Sequence, residues 1–89
     1  MNVFERKNTD LIKEFNRYIR EHPEFAVKIP NNAIVIIQLK GDDEFNKWSL
    51  MLGKKHAESG QPVMCVRIKK IKPIHSRIEE VEVEQQVAF

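Results

Sequence analysis

The densest chemistry in this 89-residue chain is basic: Arg67, Lys69, Lys70 and Lys72 fall within one short stretch, with Lys54, Lys55 and His56 at the end of the preceding helical segment. Cations at that spacing could neutralise phosphates along an extended backbone, so Lys54, Lys55, Arg67, Lys69, Lys70 and Lys72 are the candidate anion or nucleic-acid contacts. Against this stand a net charge of only +2 and the absence of aromatics interleaved with the bases, which single-strand binders use as stacking platforms. Lysines along a strand edge also serve simply to deter aggregation. The charge is segregated, with residues 54–77 carrying +6 and everything from residue 78 onward carrying −4 through Glu79, Glu80, Glu82 and Glu84. Two readings stay open: the basic block meets an external polyanion, or the acidic tail folds over it in the same or a neighbouring chain.

The remaining reactive residue types do not assemble into a catalytic set. Asp42 and Asp43 could hold Mg²⁺, but adjacent carboxylates opening a helix serve as its cap and as partners of its dipole. His22, His56 and His75 show neither the i, i+4 pairing nor the Cys companions of a zinc site. Cys65 stands between Met64 and Val66, where a buried strand position would hide the thiol and raise its pKa. Ser49, Ser59 and Ser76 lack the flanking glycines of a nucleophile elbow. Trp48 shares a helical stripe with Phe45 and Leu52, which makes it a packing residue. The expectation is a non-enzymatic protein with no metal and no cofactor.

The elements that would carry these residues follow from periodicity. Leu11, Ile12, Phe15, Tyr18 and Ile19 recur at helical spacing, predicting a first helix over residues 9–22 capped by Asn8 or Thr9. Pro23 begins a short helical turn through Phe25 and Val27, and Pro30-Asn31-Asn32 makes a turn. Ala33 to Leu39 is apolar and largely β-branched, as in a strand covered on both faces, and is expected to be central. Gly41-Asp42-Asp43 stops it and starts a helix of about 16 residues, with Phe45, Trp48, Met51 and Leu52 as its apolar stripe and Gly60 as its end. Pro62 opens a second strand from Val63 to about Ile71. A 16-residue helix runs about 24 Å, enough to return the chain to the start of a parallel neighbour in a right-handed βαβ unit.

The fold class is therefore α/β, or a small α+β arrangement, in the order helix, strand, helix, strand. One domain spans residues 1–89, and residues 74–89 form an extended acidic tail or an edge strand, because Val81 and Val83 alternate with Glu80, Glu82 and Glu84. With 42% hydrophobic and 31% charged residues the composition is that of a globular chain, and one cysteine excludes a disulfide scaffold. The longest apolar run, Ala33 to Ile37, is far too short to span a membrane, and no apolar stretch precedes Glu5-Arg6-Lys7 as a secretion signal would. A cytoplasmic location is expected.

A two- or three-stranded sheet leaves unpaired edges and apolar faces. The two helices either sandwich the sheet or lie together on one side, leaving Ile34 and Ile36 for a second subunit. Ile34, Ile36, Val81 and Val83 are the candidate self-association residues, and a homodimer or a protein partner is the leading expectation over nucleic acid.

The stretches Phe25-Ala26-Val27-Lys28-Ile29-Pro30-Asn31-Asn32-Ala33, Asp43-Glu44-Phe45-Asn46-Lys47-Trp48 and Gly60-Gln61-Pro62-Val63 resemble a family of short prokaryotic proteins of uncharacterised function. The likeness covers most of residues 9–72 and leaves the tail outside. These motifs punctuate turns, helices and strands, so the resemblance implies no catalytic residue.

Overall fold

A computed structural model describes residues 2–85. Helix α1 (Val3–Glu21) leads into a single helical turn α2 (Pro23–Ala26), strand β1 (Ile34–Leu39), helix α3 (Asp43–His56) and strand β2 (Val63–Ile68). The two strands form one parallel sheet in the register Ile34↔Val63 to Leu39↔Ile68, so the architecture is the small α+β arrangement, with α3 as the crossover.

Helix α1 starts six residues earlier than its core periodicity indicates. The Asn2 side chain accepts from the Glu5 backbone N–H at 2.8 Å, as a helix cap does, and its Nδ2 donates to the Glu5 carboxylate at 3.1 Å, nearly two turns ahead of the Asn8 or Thr9 cap expected. What holds these extra residues is tertiary: the Phe4 ring lies 5.7 Å from the Trp48 ring and 6.2 Å from that of Phe45, centre to centre. Helix α3 ends at His56, ahead of Gly60, which instead takes a φ of 79° in the turn that Gln61 closes back to Glu58. Strand β2 likewise stops at Ile68, where the pairing with β1 runs out.

The core joins Leu11 and Phe15 of α1, Ile37 of β1 and Phe45 of α3, with Val35, Trp48, Val66 and Ile68 packed around them. Phe45 is 0% exposed, and burying a side chain of that size contributes about 2–3 kcal/mol. On the opposite face of β1, Ile36 is buried against Gly53 of α3, so Ile36 is not available to a second subunit as expected, and Ile34 is half-buried beside it. The sheet is thus covered on both faces at β1, by elements of the same chain.

Two further expectations are corrected. Strand β1 is not central, because among the described residues no third strand joins the sheet. Cys65 is exposed, because β2 is covered on one face only: Met64, Val66 and Ile68 are half-buried and Val63, Cys65 and Arg67 face outward. Beyond Ile68 the chain has no regular structure through residue 85, and every residue from 69 to 85 is exposed. The expected edge strand therefore does not form at 74–85, while 86–89 lie outside the described residues. The tail draws the molecule out to 63 Å along its longest axis. Its radius of gyration is 18.2 Å, against about 12 Å for a compact chain of this length.

Candidate functional site

Backbone alternation decides where the sheet can accept a partner. Ile34 N–H donates to Pro62 O at 2.8 Å and Lys40 N–H to Ile68 O at 2.9 Å, so the even-numbered residues of β1 point their polar groups at β2. Val35, Ile37 and Leu39 then point theirs away from β2, and Val63, Cys65 and Arg67 of β2 do the same on the other side.

On the β1 side, helix α3 supplies what a third strand would. The Asn46 side chain accepts from Leu39 N–H at 2.8 Å and donates to Leu39 O at 2.8 Å, reproducing both bonds of a paired strand residue. One turn on, Ser49 Oγ donates to Ile37 O at 2.8 Å. One turn further, Gly53 brings the helix so close to the sheet that an added Cβ would stand 2.4 Å from Ile36 Cδ1. Asn46, Ser49 and Gly53 form a stripe at i, i+3 and i+7 that sets α3 against the strand edge. What remains of that edge is an open cleft of about 130 Å³ at Val35, bordered by Asn8 of α1 and His56 of α3. That volume falls short of the several hundred Å³ of a typical ligand pocket.

The N-terminus of α3 is locked in place as well. Asp42 accepts from Phe45 N–H at 3.2 Å as the helix cap and forms an ion pair with Lys7 of α1, whose ammonium also stands 5.5 Å from the centre of the Phe45 ring. The Lys7 hydrogen bond, aided by the Phe45 amide, holds the Asp42 carboxyl below its ordinary value. Asp42 is thus a cap and an inter-helix latch, and Asp43 is an exposed residue of the first helical turn. Among the described residues no three His, Cys, Asp or Glu side chains cluster as metal ligands would.

Strand β2 has no such cover. The outward N–H and C=O groups of Val63, Cys65 and Arg67 find no partner among the described residues, and Val63 keeps 46% of its surface exposed. Arg67, Lys69, Lys70 and Lys72 continue this edge past its C-terminal end, all exposed. Lys54 and Lys55 are exposed too, but they belong to the last turn of α3, at the end of the sheet where Ile34 and Val63 begin. The length of β2, about 17–20 Å, separates them from the other four, so the six bases do not form one patch. Val81 and Val83 stand 84% and 88% exposed in the tail.

Sequence reasoning missed Asn46 and Lys7. The Asn46-Ser49-Gly53 stripe was the available signal for the first, since three small or polar residues at helical spacing beside an apolar stripe mark a second, close contact. No local pattern joins Lys7 to Asp42, 35 residues apart.

A model of the group described as Family of unknown function (DUF5647) matches residues 3–81. The match reaches further than the motif stretches, taking in the first turn of α1 and the first half of the tail, to Val81. No curated protein and no solved structure matches the chain. Among the described residues no helix is long and apolar enough to cross a membrane.

Proposed function

The chain belongs to that family of unknown function, and from this premise we propose that it is a small cytoplasmic interaction module without enzymatic activity that self-associates by pairing along the open edge of β2. One observation carries the reading: Asn46 and Ser49 cap Leu39 and the Ile37 carbonyl on the β1 edge, whereas the outward groups of β2 meet no partner among the described residues. An exposed strand edge with apolar Val63 and small Cys65 on it is a template for another strand. Val63→Lys places a charge on that template. Light scattering of the wild type is expected to show mass rising with concentration and the variant to stay monomeric. A wild type that remains monomeric at high micromolar concentration overturns the reading.

A second reading rests on the exposed run Arg67, Lys69, Lys70 and Lys72, which could track a phosphate backbone. It requires binding to a single-stranded oligonucleotide at about 50 mM salt that falls steeply as salt is added. Changing the four bases to Ser must abolish that binding.

A further inference from the structure

The open edge and the tail match each other in three independent respects. In hydrogen bonding, β2 offers the outward groups of Val63, Cys65 and Arg67, and residues 69–85 form no strand of their own. In pattern, Val81 and Val83 alternate with Glu80, Glu82 and Glu84, the period of a strand with one apolar face. In charge, Glu79, Glu80, Glu82 and Glu84 carry no base among them, whereas the C-terminal end of β2 runs into Arg67, Lys69, Lys70 and Lys72 with no acid among those four.

We propose that residues 79–84 of one copy of this chain add as a strand to the β2 edge of a second copy. Placing Val81 and Val83 on the face of Met64, Val66 and Ile68 continues the half-buried apolar surface of β2. The same placement puts Glu80, Glu82 and Glu84 on the face of Arg67, where opposite charges on neighbouring strands attract. A second copy is the occupant because the single chain holds its tail off its own body, with Ile74 97% and Val83 88% exposed. The tail also has the reach, since the thirteen residues from Ile68 to Val81 extend up to about 43 Å, twice the length of β2. If each copy donates one tail and accepts one, the contact closes as a symmetric pair.

This inference rests on the reading of β2 as the contact edge, and one experiment separates the two. Cys65 lies in the middle of the edge and is the chain's single cysteine, so its rate of reaction with a maleimide reports whether the edge is covered. Full-length wild type is compared with full-length Val81→Asp/Val83→Asp, whose substitutions touch only the tail. Mass and Cys65 reactivity are read at low and high protein concentration. The expected result is a wild-type dimer in which Cys65 reacts about tenfold more slowly once nine-tenths of the edges are occupied, and a variant that is monomeric and fast at both concentrations. A monomeric wild type with slow Cys65 means the tail covers its own edge and overturns the exchange between copies. A dimer that persists in the variant overturns the role of the tail but keeps self-association. A monomeric wild type in which Cys65 reacts as fast as in the variant overturns both.

Discussion

The two edges of one small sheet are finished in opposite ways. On the β1 side, Asn46 takes the place of a paired strand residue and Ser49 extends the pairing to Ile37, so a helix terminates the sheet. On the β2 side, Val63, Cys65 and Arg67 present their outward backbone groups to no hydrogen-bonding side chain among the described residues. Both strands are six residues long and are paired in register, so neither strand length nor register accounts for the difference. What separates them is the placement of α3, which the Gly53 contact with Ile36 sets against β1 and the Lys7–Asp42 latch ties to α1. Dedicated side chains cap the C-terminal half of the β1 edge, and among the described residues none caps β2.

The sharpest way to break this comparison is to reopen β1. Asn46→Ala with Ser49→Ala strips partners from Leu39 N–H, Leu39 O and Ile37 O, and each orphaned group costs about 1–3 kcal/mol less whatever water restores. A combined loss of about 2–4 kcal/mol in urea unfolding is expected, a large share of what a domain this small has. A loss below about 1 kcal/mol would mean that something other than these side chains closes the edge. Gly53→Ala comes next. The helix gains about 1 kcal/mol of propensity, but Ile36, buried at 2% exposure, must move aside. Overpacking of that kind costs about 1–3 kcal/mol, so a net loss of up to about 2 kcal/mol is expected in thermal or urea unfolding.

Substitution on the open edge should behave in the opposite way. Val63→Lys is expected to change the stability of the monomer by no more than about 0.5 kcal/mol, because its side chain already faces solvent. Its effect appears in association instead. The smallest effect belongs to Asp42→Asn. Because the folded protein holds the Asp42 carboxyl below its ordinary value, the Lys7 latch is fully stabilising above the unfolded carboxylate's pKa and is lost as pH falls through the folded one. Wild type and variant should therefore differ in melting temperature near neutral pH, begin to approach each other below about pH 4, and converge only once the pH has fallen below the lowered folded pKa.

Much of this arrangement was legible in the residues. The β-branched run at Ile34–Leu39, the alternation of Val63–Ile68 and the helix between them gave the parallel unit, because each is a local pattern with one period. The early start of α1 was not legible: Phe4 stands alone at the N-terminus, and its partners Phe45 and Trp48 are some forty residues away. Cys65 was misread because an apolar neighbourhood in sequence says nothing about which face of a strand a helix covers. The centrality of β1 failed for a related reason. A strand buried on both faces reads the same whether its second edge meets another strand or the amide of Asn46. The candidate edge itself emerged only once the cover of β1 was seen, since openness is defined by what is missing beside a strand.

The most direct test of the asymmetry is residue-resolved amide hydrogen exchange of the full chain at low and high protein concentration. Leu39 N–H, bonded to Asn46, should exchange slowly at both. Val63, Cys65 and Arg67 N–H should exchange rapidly in dilute solution and slow down as concentration rises and the edge is paired. Slow exchange of these three amides at every concentration would contradict the account, because it would mean that the chain closes β2 by itself.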